Sequence, residues 1–478
     1  MYEAVIGMEV HAQVLTRSKI FCGCDAEAFG AEPNTHVCPV CLGMPGALPV
    51  INRQAVAATI RVGLALNCEI AETAVFSRKN YFYPDLPKGY QISMYDFPLC
   101  RAGWLSVGGP EQITRRITIR RVHLEEDTGK SFHAGVHSLV DFNRSGVPLM
   151  EIVTEPDIRS PEEARQYVVK LQAILRTLGV STGDMEKGAM RCEVNVSLRP
   201  AGTDELGAKV EIKNLNSFRS VKLALEYEIA RQTRVLEGGG RVRQVTMGWD
   251  EPSGRTVEQR LKEGSEDYRY FPEPDLPPLR ISKAWVEEIR KSLPELPDAR
   301  RDRFSSEYGL SQADAGLLAA DHSVADYFDA AVVAGRQKGV PATTIAHWLT
   351  GELFRRLRSE GAEIGNLRAG PAELVDLLAL VEQGTITASS GRAALEEMLA
   401  TGRPAGEIVA ARGLAQISEQ EALVGVVEKV IADHPDLAVQ YRQGKEALLR
   451  WFVGEVMKAT RGKANPQVVV SLLQEKLR

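Results

Sequence analysis

Residues 4–13 read Ala4-Val5-Ile6-Gly7-Met8-Glu9-Val10-His11-Ala12-Gln13, and polar and apolar residues alternate along this segment. Such alternation predicts a half-buried strand, because successive side chains of a strand point to opposite faces. Glu9, His11 and Gln13 then share one face of the strand. The same pattern recurs at residues 192–198 and 209–213. These segments, with interspersed helices, predict a β-rich region that runs to about residue 275.

A helix is predicted after Asp157, where Ser160 is suited to cap the helix and Pro161 to begin it. The Pro-rich segment 271–278 excludes regular helix and central strand, so we expect the first domain to end near it. Beyond it apolar residues recur at helical spacing to the end of the chain. The sequence therefore predicts an α+β protein with three domains, at residues 1–290, 291–404 and 405–478.

Composition limits the class of protein. The 478 residues are 44% hydrophobic and 25% charged, which is typical of a globular protein, and no apolar run is long enough for a membrane span. We expect no signal peptide, no membrane partner and a cytoplasmic location. The net charge of −5 argues against coating nucleic acid by bulk charge, although it leaves room for a local basic patch.

Four of the seven cysteines are clustered, as Cys22-Gly23-Cys24 and Cys38-Pro39-Val40-Cys41. Two closely spaced pairs supply four thiolates for a tetrahedral zinc ion, and four protein ligands leave no open position for catalysis. We therefore expect a structural zinc site. The alternative is a set of buried free thiols, which is the interpretation we prefer for the isolated Cys68, Cys100 and Cys192.

Acidic residues recur in three segments that could form one site. Glu9 and His11 share a strand face, Glu125 and Glu126 lie in a run of three acids, and Glu151 lies within an apolar stretch. Carboxylates with an imidazole suit a divalent cation, which also lets neighbouring acids coexist. The alternatives are a solvated polar face for Glu9 and His11, and a structural ion pair between Arg144 and Glu151.

The segment 77–93 interleaves cations with aromatic residues, and a similar mixture recurs at 266–271. This composition suits contact with phosphate and stacking on bases, although an exposed loop anchored by tyrosines would have it too. The sequence contains no P-loop motif and no amidase motif. If the protein takes part in amide chemistry, the group that releases ammonia therefore lies on another chain.

Several motifs together resemble the B subunits of the aspartyl/glutamyl-tRNA amidotransferase family over essentially the whole chain. They are Met8-Glu9-Val10-His11, residues 78–85, residues 125–130, Asp141 through Asp157, Lys213-Asn214-Leu215-Asn216-Ser217, and residues 267–275. The resemblance implies a cradle-shaped catalytic domain, a helical domain and a YqeY-like tail domain that binds tRNA. It also implies a three-chain complex, a heterotrimer in which the other two chains are the A subunit, an amidase, and the small C subunit.

The activity that the resemblance implies is a ligase reaction. ATP would phosphorylate the side-chain carboxylate of misacylated Glu-tRNA(Gln) or Asp-tRNA(Asn), and ammonia from the amidase would displace the phosphate. Phosphoryl transfer mainly requires positioning and neutralisation by magnesium and cations, so such a site needs no nucleophilic Ser or Cys.

Site residues are carried over by motif. Glu9, His11, Glu125, Glu126 and Glu151 are candidates for binding Mg²⁺, and Glu211 is a weaker one. Lys79 and Asp184 are candidates for guiding ammonia. The four clustered cysteines are expected to hold zinc. Some members of the family lack these cysteines.

The C-terminal tail carries a basic cluster of Lys458, Arg461 and Lys463 at the end of a predicted helix. Cations at this position also suit the helix dipole, which would be a purely structural role. Because the resemblance assigns tRNA to the tail, we expect these three residues to contact tRNA phosphates.

A second class of function stays open at this point, a non-catalytic, zinc-stabilised tRNA scaffold whose acids form only structural pairs. The two classes differ in one respect. The enzyme requires Glu9, His11, Glu125 or Glu126, and Glu151 to converge on one cation, whereas the scaffold leaves them dispersed.

Overall fold

The computed structural model describes residues 2–108, 114–261, 268–415, 420–460 and 462–477. The chain divides into two compact units, Met1–Pro297 and Asp298–Arg478. Within the described residues, the first unit contains the sheets and the second is helical. The predicted α+β class is confirmed.

The first unit is built on a mixed sheet of nine of the described strands, each hydrogen bonded to its neighbours in the sheet. From one edge to the other they are β14 (Arg255–Leu261), β13 (Val245–Asp250), β12 (Val210–Leu215), β11 (Met190–Pro200), β1 (Tyr2–Gln13), β10 (Pro148–Thr154), β7 (Arg115–Glu126), β6 (Cys100–Val107) and β2 (Glu69–Ile70). The strands predicted at 4–13, 192–198 and 209–213 are confirmed as parts of β1, β11 and β12.

One face of this sheet carries the core of the first unit. Met8, Val10 and Ala12 of β1 are buried there, as the alternation predicts. Four helices add buried apolar residues to this core, namely α1 (Arg53–Ala65), α2 (Pro161–Thr177), α3 (Phe218–Glu237) and α4 (Lys283–Lys291). The opposite face of the sheet keeps the polar residues of the alternation, and the candidate site is built on it.

The helix predicted after Asp157 is confirmed as α2. Ser160 caps it by accepting a hydrogen bond from the backbone N–H of Glu163, and proline occupies its first turn. Tyr167, Leu171 and Ile174 lie on its buried face. The cap and the helical spacing of apolar residues are local features, so both could be predicted from the sequence.

Shorter strands complete the first unit. A three-stranded sheet is formed by β15 (Phe271–Pro272), β4 (Ser77–Asn80) and β5 (Tyr90–Ser93), and β16 (Leu279–Arg280) pairs with β3 (Thr73–Ala74). A hairpin is formed by β8 (Lys130–Ala134) and β9 (His137–Asp141). The pairing of β15 with β4 brings the two aromatic segments of the sequence together.

The second unit has two apolar cores. The helices around the first core are α5 (Pro297–Tyr308), α6 (Gln312–Ala319), α7 (His322–Lys338), α8 (Ala342–His347), α9 (Phe354–Glu360), α10 (Pro371–Glu382), α11 (Ala388–Thr401) and α12 (Ala405–Arg412). A π-helical stretch, Trp348–Leu353, joins α8 to α9.

The second core is formed by α13 (Gln420–Asp433), α14 (Pro435–Arg442), α15 (Leu448–Ala459) and α16 (Pro466–Leu477). Phe452 and Val456 of α15 are fully buried in it. Across the described ranges, no helix combines the length and the apolar character that crossing a membrane would require.

Candidate metal and active centre

The polar face of the main sheet places a carboxylate between two imidazoles. In the strand register His11 of β1 lies opposite Glu151 of β10, and Glu151 lies opposite His123 of β7. Glu125 lies two residues beyond His123 and so points to the same face. The sheet thereby brings His11 beside side chains that are more than a hundred residues away in the sequence.

The distances within this group are short. His11 Nε2 lies 3.6 Å from Glu125 Oε1 and 3.8 Å from Glu151 Oε2. His123 Nε2 lies 3.1 Å from Glu151 Oε2 and 3.8 Å from Glu125 Oε2. Ser93 Oγ donates a hydrogen bond to Glu125 at 3.2 Å. We call His11, His123, Glu125 and Glu151 the carboxylate–imidazole centre.

Three members of the centre fit a divalent cation. One ligand atom each of His11, Glu125 and Glu151 lies within 4.8 Å of the others. Two carboxylates and a neutral imidazole can share one ion of this charge, and hard cations prefer the oxygen donors. The ion would also relieve the repulsion between the two acids.

The electrostatics of the centre favour ionised carboxylates. Burial alone would raise the pKa of Glu151, but His123, and to a smaller extent His11, hold that pKa well below its ordinary value. Glu151 is thus held as a metal-binding anion at neutral pH.

His123 is the member of the centre that we did not select from the sequence. It is 2% exposed, and within the described residues its Nδ1 is buried without a hydrogen-bond partner. A period-two pattern in β7 could have identified it, because the apolar Val122 and Leu124 alternate with Arg121, His123 and Glu125.

Glu9 and Glu211 lie on the same sheet but outside the group of three ligands. Glu9 Oε1 accepts a hydrogen bond from Asn195 Nδ2 at 2.9 Å. Burial raises the pKa of Glu9, and the nearby Glu151 raises it further. Glu211 accepts a hydrogen bond from Thr246 Oγ1 at 2.9 Å and lies 3.4 Å from Lys213 Nζ.

Glu126 points away from the centre. Its Oε2 lies 2.7 Å from Lys88 Nζ, and its Oε1 accepts a hydrogen bond of 2.9 Å from the backbone N–H of Ile92. These contacts connect β7 to the segment around β5. The carboxylate of Glu126 therefore binds Lys88 and Ile92 and does not join Glu125 in the centre.

The alternative in which Arg144 pairs with Glu151 is wrong. The carboxylate beside Arg144 is that of Asp127, with Nε 3.6 Å from Oδ2. Arg191 also pairs with Asp127, at 3.1 Å, and the two guanidinium groups outweigh burial and lower the pKa of Asp127 to about 2. Glu151 instead contacts the two histidines, His11 and His123.

Four tyrosines form a continuous row beside the centre. Ring centroids are 6.0 Å apart for Tyr81 and Tyr268, 6.1 Å for Tyr268 and Tyr270, and 4.2 Å for Tyr270 and Tyr95. Burial raises the pKa of Tyr81 and Tyr270, and the charge of Glu125 raises both further. We call these residues the tyrosine row.

Lys79 lies at one end of the tyrosine row. Its Nζ is 4.8 Å from the centroid of Tyr268 and 5.7 Å from that of Tyr81. Lys79 is half-buried, and it forms no ion pair with the carboxylates of the described residues. A cation held only by aromatic faces is available to a ligand in the site.

Asp184 lies in the turn that precedes β11, apart from the centre. Its Oδ1 accepts hydrogen bonds from the backbone N–H groups of Glu186 and Lys187, at 3.0 and 3.1 Å. The bond from Lys187 lowers the pKa of Asp184 below its ordinary value. These contacts stabilise the turn.

The four clustered cysteines converge. Their sulfurs all lie within 4.8 Å of one another, and Sγ of Cys38 and Sγ of Cys41 are 3.9 Å apart. A tetrahedral site with Zn–S bonds of about 2.3 Å requires S–S separations of about 3.8 Å. The geometry therefore fits a zinc ion, as the spacing of the cysteines predicts.

A buried lysine supports the cysteine cluster. Lys19 is fully buried, and its Nζ donates to the carbonyl of His36 at 2.7 Å and approaches Cys41 Sγ at 3.6 Å. A hydrogen bond from Cys22, with the charge of Lys19 as a further contribution, lowers the pKa of Cys41 to about 4. A thiolate at this position is the form that binds a metal.

The predicted basic cluster of the tail is only partly described. Lys458 is exposed and lies 3.6 Å from Glu455, and Lys463 is half-buried in the turn between α15 and α16. Arg461, the third residue of the cluster, lies outside the described residues.

Comparison with known proteins gives consistent matches. Residues 4–287 match the model of the GatB/GatE catalytic domain, and residues 326–477 match that of the GatB domain. A protein of Roseiflexus sp. (strain RS-1) is 55% identical, with 100% of this chain and 98% of the relative covered. A protein of Moorella thermoacetica is 54% identical, with 100% of both chains covered. Each is named as the B subunit of aspartyl/glutamyl-tRNA(Asn/Gln) amidotransferase.

Proposed function

The chain belongs to the family of aspartyl/glutamyl-tRNA(Asn/Gln) amidotransferase B subunits, and we propose that it uses ATP to activate the side-chain carboxylate of Glu-tRNA(Gln) or Asp-tRNA(Asn) for amide formation. One observation carries the assignment of the activity to this chain. His11, Glu125 and Glu151 are distant in sequence, yet their ligand atoms gather within 4.8 Å. A non-catalytic scaffold has no need of such convergence.

The reaction requires an activated carboxyl group, because the leaving group of a free carboxylate would be oxide. A carboxylate oxygen of the aminoacyl side chain forms a bond to the γ-phosphorus of ATP, and the bond to the ADP oxygen breaks. Ammonia then adds to the acyl carbon, the carbon–oxygen bond to phosphate breaks, and nitrogen loses a proton. No step requires a nucleophilic Ser or Cys of this chain.

His11, Glu125 and Glu151 would hold Mg²⁺, which supplies neutralisation of phosphate charge when bound. His123 orients Glu151 from the buried side, where its Nε2 lies 3.1 Å from Glu151 Oε2. Glu9 and Glu211 extend the acidic face beside this group, and both remain our candidates for binding a cation there, Glu211 the weaker of the two. Glu126 was also a candidate for binding Mg²⁺, and because it pairs with Lys88 we propose a supporting role for it.

Ammonia has to reach the acyl carbon without protonation by bulk water. Lys79, at the end of the tyrosine row, is our candidate for guiding ammonia at the centre. Asp184 is our candidate further along the path, near the start of β11. The ammonia itself would come from the amidase, the A subunit, with which this chain and the small C subunit would form a heterotrimer in the cytoplasm.

The zinc ion would be structural. Four cysteine ligands complete its tetrahedral shell, so it has no position for substrate. The tail would bind tRNA through Lys458 and Lys463, with Arg461 added on the basis of the sequence alone.

An amidation assay tests the proposed function. The purified complex is supplied with glutamine and with Glu-tRNA(Gln) or Asp-tRNA(Asn), in the presence and absence of ATP. We expect Gln-tRNA(Gln) or Asn-tRNA(Asn) to form only when ATP is present. Amide formation at the same rate without ATP would contradict the proposal.

A further inference from the structure

Arg121 lies on the polar face of the main sheet, at the end of the tyrosine row opposite Lys79. Its Cζ is 5.8 Å from the ring centroid of Tyr95, which stacks on Tyr270 with an interplanar angle of 12°. Arg121 precedes His123 by two residues on β7 and therefore lies beside the carboxylate–imidazole centre.

Three arginines near Arg121 have carboxylate partners. Arg144 and Arg191 both pair with Asp127. Arg120, the preceding residue, forms a two-bond ion pair with Glu155, with N–O distances of 2.8 and 2.7 Å. These three arginines are thus neutralised by the protein itself.

Arg121 differs from these three arginines. Within the described residues it forms no ion pair, and its Nε is buried without a hydrogen-bond partner. A half-buried guanidinium with an unpaired, buried Nε–H lowers stability, which points to a ligand at this position. The aromatic ring of Tyr95 holds the side chain while leaving the N–H groups to that ligand.

We propose that Arg121 binds a phosphate group of the nucleoside triphosphate at the carboxylate–imidazole centre. The planar fork of N–H donors in arginine matches two phosphate oxygens, and this match is lost in lysine. The metal-binding carboxylates lie on the same sheet face, so one phosphate chain can reach both Arg121 and the metal ion. This inference rests on the proposed function and names the residue that contacts its nucleotide.

RNA phosphates are the competing ligand. RNA phosphates would be expected to contact exposed cations arranged along the RNA backbone. Arg121 is instead half-buried beside the carboxylate–imidazole centre. The two ligands make different predictions, because loss of a nucleotide contact leaves tRNA affinity unchanged.

The test measures the affinity of the assembled complex for ATP with Mg²⁺ by equilibrium dialysis, and its affinity for tRNA at one fixed salt concentration. The variants are Arg121→Gln, Arg121→Lys and, as the matched control, Arg120→Gln. We expect Arg121→Gln to raise the Kd for ATP by about tenfold or more, the size of a lost charge-assisted hydrogen bond. Arg121→Lys should recover part of the affinity, and Arg120→Gln should bind ATP like the wild type.

Affinity for tRNA should stay within about twofold in all three variants, since no phosphate contact to RNA is removed. Unchanged ATP affinity in Arg121→Gln would overturn the inference while leaving the proposed function intact. A tRNA affinity that falls as much as the ATP affinity would assign Arg121 to RNA instead. Absence of ATP binding by the wild-type complex would overturn both the inference and the proposed function.

Discussion

Glu151 is the residue on which the catalytic assignment depends most, because its carboxylate touches both imidazoles of the centre. We expect Glu151→Gln and His11→Ala each to reduce the rate of amide formation by at least about a hundredfold, since each removes a ligand for the metal ion. The measurement is amidation beside tRNA binding. Binding should persist in both variants, and normal turnover in either would remove that residue from the site.

His123 acts on the metal through Glu151 and is therefore a positioning residue. Replacing a residue that orients a metal ligand commonly weakens metal affinity by about 10- to 100-fold. We expect His123→Leu to weaken Mn²⁺ binding by this amount, and His123→Gln, which keeps a donor nitrogen, to bind Mn²⁺ within a few-fold of the wild type. Isothermal titration would measure both. Equal weakening in the two variants would show that the ring itself is required.

Part of the centre can be predicted from the sequence. The rest cannot, because it depends on contacts between segments that are distant in the chain. The alternation in β1 places Glu9 and His11 on one face, which the structure confirms. The run of three acids leaves Glu125 and Glu126 equivalent by residue type. Their contacts separate their roles, since Glu125 lies beside His11 whereas Glu126 pairs with Lys88. The partner of Arg144 depends on which strands are neighbours, and local sequence does not contain that information.

At the scale of elements, the order of the strands in the sheet determines which residues meet in the site. β1 lies between β10 and β11, so residues from the two ends of the segment 2–200 become neighbours. The spacing of apolar residues predicts each strand and the helix α2, because burial and capping act locally. Non-local pairing arises only when the whole sheet forms.

The cysteine cluster is an element whose stability should depend on metal. We expect one zinc ion per chain, and Cys38→Ser should lower the thermal unfolding temperature while leaving the catalytic chemistry of the folded fraction unchanged. Binding of a structural zinc ion contributes directly to the free energy of folding. Elemental analysis and thermal unfolding check the two statements. A reduced, chelator-free protein that holds no zinc would contradict the first of them.

At the scale of the whole molecule, the helical C-terminal region is expected to bind tRNA. α12 contributes Ala405 and Ile408 to the first core of the second unit, so a truncation is best placed after Ala415. We expect removal of residues 416–478 to weaken tRNA binding and raise the apparent KM for aminoacyl-tRNA. Glutamine hydrolysis by the amidase in the absence of tRNA should not change. Equal tRNA binding by truncated and full-length complexes would contradict the assignment.

A finer variant separates charge from folding in this region. Alanine at Lys458, Arg461 and Lys463 together should make tRNA affinity less dependent on salt, because each lost phosphate contact lowers the slope by about 0.7–0.9. Lys476→Ala is the matched control, since Lys476 already pairs with Glu428 at 2.6 Å. The control should keep the slope of the wild type.

The central claim is that the aminoacyl carboxylate is phosphorylated before it is amidated. Oxygen transfer tests this most directly. Glu-tRNA(Gln) or Asp-tRNA(Asn) is prepared with ¹⁸O in the side-chain carboxylate, and the inorganic phosphate released during amidation is analysed by mass spectrometry. We predict that one ¹⁸O atom appears in each phosphate, because the carbon–oxygen bond of the acyl phosphate breaks when ammonia enters. Phosphate without ¹⁸O, formed together with amidated tRNA, would contradict the account.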